Sequence, residues 1–139
     1  MAALEVQPFH HAETGTWSYV VRAPGGEAAI IDPVLDFDAR SGRTSTPSAQ
    51  ALLDHVAAKG LSVRWILETH AHADHLSAGH WLKQRLPDAR LAIGQGIRTV
   101  QKTFRPIFNL GITSPSTARS SIICSTTTKA SRSARCRRG

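Results

Sequence analysis

Three histidines and an aspartate lie within six residues, His70-Ala71-His72-Ala73-Asp74-His75, directly behind the apolar stretch from Leu61 to Leu67. Such a cluster is improbable from composition alone, and it demands a fold that brings it to a single place. In an extended segment side chains two residues apart point the same way. His70 and His72 can therefore present both imidazoles to one point just beyond a strand end. Asp74 and His75 follow as the chain turns toward a helix and can face a second point nearby. Neutral imidazole combined with carboxylate suits zinc or iron rather than calcium or magnesium. His70, His72, Asp74 and His75 are the candidate metal ligands. His10, His11, His55 and His80 stand outside the cluster and are read as ordinary surface or core histidines.

The residue pattern places this run at the end of a buried strand. Thr16 to Ala23 alternates as a strand does, and Pro24-Gly25-Gly26 is a turn signal leading into Glu27-Ala28-Ala29-Ile30-Ile31-Asp32, so a β-hairpin is predicted. Leu35 to Ser45 has no period and predicts a loop. Thr46 fits a helix N-cap with Pro47 at the first helical position, Leu52, Leu53 and Val56 give an apolar stripe, and Gly60 ends the helix. Leu61 to Leu67, short and rich in strand formers, predicts a buried strand. A second helix is expected from about Asp74 to Leu86, closed by Pro87. Arg90 to Gly94 predicts a short strand, and Ile97 to Phe104 a helical turn or two before Pro106. This order of strands and helices specifies an α/β layered domain without internal repeats.

Composition divides the chain at about residue 110. All eight aromatics and all ten carboxylates precede Gly111, whereas residues 111–139 hold seven Ser, five Thr, five Arg and one Lys. That segment supplies +6 of the formal net charge of +7, so the basic balance says little about what the folded part binds. The expected organisation is a partial domain over 1–110 and a basic, disordered tail over 111–139. The tail lacks stacking aromatics and an amphipathic period, so neither nucleic acid nor a membrane is expected as a partner. Both cysteines, Cys124 and Cys136, lie in the tail and offer the folded part no disulfide or thiolate site. No signal-like leader and no run of about 18 apolar residues occurs, and a cytoplasmic location is expected. Nothing in the sequence indicates the oligomeric state.

The run His70 to His75 matches the His-x-His-x-Asp-His signature of the metallo-β-lactamase superfamily, and Asp32 matches the aspartate of that superfamily's first motif. More specifically, Gly15-Thr16-Trp17-Ser18-Tyr19, Ile31 to Asp38, Ser41 to Thr46 and Leu67 to Ala78 together resemble the bacterial persulfide dioxygenase-like branch, close kin of glyoxalase II. The resemblance implies an αββα sandwich, of which this chain carries the N-terminal half. It implies that Asp32 props the metal loop. It also implies a glutathione-linked small-molecule substrate and one iron, held by His70 together with a histidine and an aspartate from further along a full-length relative. His72, Asp74 and His75 would then stand behind the ligands. In the two-zinc hydrolases of the superfamily all four would bind metal. A zinc hydrolase of glutathione thioesters is thus the alternative, and a non-enzymatic basic-tail nucleic-acid binder is a third reading from a different class.

After Leu110 the resemblance stops, and Gly111 to Gly139 contain no histidine or carboxylate that could supply the downstream ligands. Permitted codons for this segment, read two bases later, encode alternating apolar and acidic residues that resemble the family's next segment. The sequence therefore predicts a shifted reading frame, a fragment with an uncovered apolar face and an open sheet edge, and no activity from the chain as it stands.

Overall fold

A computed structural model describes residues 3–107 and the backbone of a strand at Ile122–Ser125. In chain order the elements are β1 (Glu5–His11), β2 (Thr16–Arg22), β3 (Glu27–Ile31), β4 (Val34–Asp38), β5 (Arg43–Ser45), α1 (Pro47–Ala58), β6 (Ser62–Glu68), β7 (Leu76–Ser77), α2 (Gly79–Arg85), β8 (Arg90–Gly94), α3 (Ile97–Ile107) and β9 (Ile122–Ser125). The main sheet runs β1-β2-β3-β6-β8-β9, and a small second sheet runs β5-β4-β7. Strands β1 to β3 form an antiparallel meander, and β6, β8 and β9 add parallel to β3 and to one another. This is the mixed α/β architecture that the strand and helix pattern predicts.

Register explains the core. Val20, Ile30, Ile66 and Leu91 are neighbours across β2, β3, β6 and β8, and each is at most 7% exposed. Ala49, Leu52 and Val56 of α1 and Leu82 of α2 join the same cluster. Burying a side chain of this size contributes roughly 1.5–3 kcal/mol, so this row and the two helix stripes fix the position of β6 and of the loop that leaves it. The next row, Tyr19, Ile31 and Leu67, points to the other face and remains half-buried.

Several sequence expectations need correction. Glu5–His11, not anticipated as a strand, pairs with β2 over its whole length. As the edge strand it accommodates Pro8, which a central strand would not. Leu35 to Ser45, expected to be a loop, holds β4 and β5, paired antiparallel through Asp36–Ser45 to Asp38–Arg43. The second helix begins at Gly79 rather than Asp74, because Leu76 and Ser77 pair with Leu35 and Val34 instead of joining a helix. Thr46 does occupy the α1 N-cap position, but its side chain makes no capping bond. Asp36 serves from outside, accepting the Ser48 N–H at 2.9 Å and the Ser48 hydroxyl at 2.6 Å. Within the segment expected to be disordered, Ile122–Ser125 pairs parallel with β8 from Leu91 to Gly94. The rest of 111–139, where a disordered tail is expected, lies outside the described residues. Among the described residues no helix is long and apolar enough to cross a membrane.

Candidate metal centre

Strand β6 ends at Glu68, and Thr69–His75 runs without regular structure until β7. Backbone and hydroxyl groups of such a stretch need partners when water is excluded, and Asp32 supplies them from the end of β3. Asp32 is 8% exposed and holds φ +48°, a left-handed conformation that aspartate tolerates better than most residues. Its carboxylate accepts the Thr69 N–H at 2.7 Å through Oδ1 and the Thr69 hydroxyl at 2.6 Å through Oδ2. The single hydroxyl hydrogen of Thr69 is thereby committed, so Thr69 Oγ1 accepts from His70 Nδ1, 2.8 Å away. The hydrogen is then on Nδ1, and His70 Nε2 keeps its lone pair on an exposed imidazole.

His72 is turned the other way. Its side chain is 6% exposed, and Nε2 lies 3.0 Å from Asp32 Oδ1 and 3.1 Å from Glu68 Oε2. Glu68 Oε1 in turn accepts the Ser77 hydroxyl. His75 Nδ1 donates to the Leu76 carbonyl at 2.9 Å, while His75 Nε2 is buried without a partner among the described residues. Asp74 Oδ2 accepts from Thr16 Oγ1 at 3.1 Å, and Thr16 accepts in turn from Thr14. The His70 and His72 rings are 4.2 Å apart, and those of His72 and His75 are 4.1 Å apart.

Burial, reinforced by the charge of Asp32, raises the Glu68 carboxyl to about 7 against the opposing Ser77 hydrogen bond. Burial also lowers the His72 pKa, and the neighbouring His75 adds to this while Asp32 opposes it. Asp74 is held low by a hydrogen bond to its own backbone and by Thr16. The site thus favours a neutral His72 imidazole beside an ionised Asp74, the protonation states that metal binding requires.

The donor set fits a metal ion. Ligand atoms of Asp32, His70 and His72 lie within 4.8 Å of one another, and so do those of His72, Asp74 and His75. The orphaned His75 Nε2 is a buried lone pair for which a cation would provide a partner. Both oxygens of Asp32 are already engaged, which suits it to supporting the loop. The structure therefore brings the four candidate residues together in two overlapping groups that share His72, with His70 in one and Asp74 and His75 in the other. Glu68 and Ser77 escaped the sequence reading. The available signal was an acidic residue closing an apolar strand four positions before His72.

The profile of the metallo-β-lactamase superfamily matches residues 12–101. The chain is 50% identical over 109 residues to a probable metallo-hydrolase of Burkholderia pseudomallei, covering 78% of this chain and 37% of that protein. It is 44% identical over 114 residues to Glyoxylase B2 of Dictyostelium discoideum, covering 82% and 39%. Among solved structures, ETHE1 from Myxococcus xanthus superposes with a TM-score of 0.53 at 26% identity, over 63% of this chain and 34% of that one. The chain thus spans well under half the length of the curated relatives it matches.

Proposed function

Because this chain belongs to the metallo-β-lactamase superfamily, we propose that it is the N-terminal part of a metal-dependent enzyme of glutathione-linked sulfur metabolism, of the persulfide dioxygenase-like type. The observation that carries this reading is the Asp32–Thr69–His70 chain, which fixes the His70 tautomer and leaves the Nε2 lone pair on an exposed imidazole. One iron held by His70 and by two ligands from further along a full-length relative would leave open positions for oxygen and for the substrate sulfur. Iron would supply the oxygen-activating redox chemistry that zinc lacks. The residues of this chain would hold and orient: Asp32 fixes the loop, Thr69 sets the His70 tautomer, and Thr16 holds Asp74.

The buried, unpartnered Nε2 of His75 favours a second reading, in which two zinc ions use all four loop residues to hydrolyse a glutathione thioester. On the first reading, residues 111–139 arise from a shifted frame, and the 139-residue chain has no turnover because His70 alone does not hold iron. Restoring the frame after Leu110 should give an enzyme that consumes oxygen when supplied with glutathione persulfide. Hydrolysis of a glutathione thioester without oxygen uptake would replace this reading with the second.

A further inference from the structure

Among the described residues Glu68 belongs to no metal-ligand group, yet its side chain is 9% exposed and its carboxyl touches the loop directly. We propose that Glu68 is a positioning residue of the metal centre, clamping the His72 ring so that Nδ1 is presented to the metal. The inference rests on the metal-loop reading: the clamp on the His72 ring holds with either metal, while presentation of Nδ1 to a metal belongs to the two-zinc arrangement, in which His72 is a ligand.

The geometry sets out the clamp. Asp32 Oδ1 and Glu68 Oε2 approach the same atom, His72 Nε2, at 3.0 and 3.1 Å. A hydrogen on Nε2 is shared between these two oxygens, so the lone pair is on Nδ1. A ring held by one hydrogen bond can still pivot about it, and a second acceptor from another strand removes that freedom. Asp32 follows β3 and Glu68 ends β6, so the two acceptors are fixed by adjacent strands in register, Ile31 opposite Leu67. Glu68 is itself held, since its other oxygen accepts the Ser77 hydroxyl. Gly79 leaves the room this needs. A Cβ there would sit 2.9 Å from Glu68 Oε1, 3.0 Å from Leu91 Cδ1 and 3.1 Å from Ser77 Oγ.

The test uses the 139-residue chain labelled with 15N-histidine, with chelator present, and reads the His72 ring by long-range proton–nitrogen correlation. The wild type should show a single Nε2–H tautomer. Glu68→Ala should shift the two ring nitrogens toward each other as tautomers average. Glu68→Gln, which keeps a carbonyl acceptor, should restore most of the wild-type pattern. Titration with zinc alone should weaken about tenfold in Glu68→Ala and far less in Glu68→Gln. If Glu68→Ala does not fold, Ser77→Ala decides instead, because it frees the Glu68 carboxyl and should produce the same averaging in part. An unchanged His72 pattern in whichever of these variants folds would overturn the proposal, as would equal loss in Glu68→Gln and Glu68→Ala. Since the ring spectrum is read without metal, it is independent of whether the iron or the zinc reading holds.

Discussion

Replacing Asp32 tests whether a single buried carboxylate organises the metal loop. Asp32→Ala removes the acceptor for three donors at once: the Thr69 N–H, the Thr69 hydroxyl and His72 Nε2. Hydrogen bonds to a charged group contribute about 1.5–3 kcal/mol each, and an orphaned donor costs about 1–3 kcal/mol. The Thr69 hydroxyl can turn toward water and His72 Nε2 keeps the Glu68 carboxylate as its acceptor, so the Thr69 amide carries most of the penalty. Alanine must also hold φ +48°, at roughly 1–2 kcal/mol. The expected loss is about 3–5 kcal/mol, a large share of the roughly 5–15 kcal/mol that stabilises an ordinary domain. Asp32→Asn keeps one acceptor oxygen and tolerates the left-handed backbone, and should lose about 1–2 kcal/mol. Urea unfolding at constant m-value measures both. Equal losses in the two variants, or less than about 1 kcal/mol for Asp32→Ala, would refute the reasoning.

Three further outcomes are expected. Ile66, fully buried at the centre of the main sheet, should lose about 2–5 kcal/mol on Ile66→Ala, measured by the same unfolding experiment. Gly60 closes α1 at φ +60° with nothing within 4 Å of an added Cβ, so Gly60→Ala should cost roughly 1 kcal/mol from backbone strain alone; a stabilising effect would contradict that conformation. The nucleotide sequence across codon 110, aligned with a full-length relative, should show an insertion or deletion that is not a multiple of three bases, and an intact frame would remove the shifted-frame account of residues 111–139.

The parts legible in the sequence are those where local pattern and tertiary burial agree. The hairpin of β2 and β3, the stripe of α1, and the strands β6 and β8 all place apolar residues at the period their structure requires, and their ends carry Gly or Pro. The His70 to His75 run was legible because four metal-binding residue types lie within six positions, although the orientation of each ring depends on Thr69, Asp32, Glu68 and the Leu76 carbonyl. What escaped depends on distant partners. β1 is largely exposed and interrupted by Pro8, so its strand character comes from pairing with β2 rather than from alternation. β4 looks like a loop because Asp36 and Asp38 are polar for local reasons, one capping α1 and the other accepting from Arg40 and Ser41 in the turn to β5. The segment Asp74–Ala78 has residues that allow a helix, yet Ala78 N–H bonds to the Pro33 carbonyl and holds the chain extended beside β4. Glu68 reads as the polar end of a strand until the fold sets it against His72 and Ser77.

Metal content of the frame-restored protein tests the proposed function most directly. The account predicts about one iron per chain, lost together with oxygen consumption in His70→Ala and largely retained in His75→Ala. Two zinc ions per chain, one of them lost with His75→Ala, would contradict it and assign the loop to the zinc-dependent hydrolases.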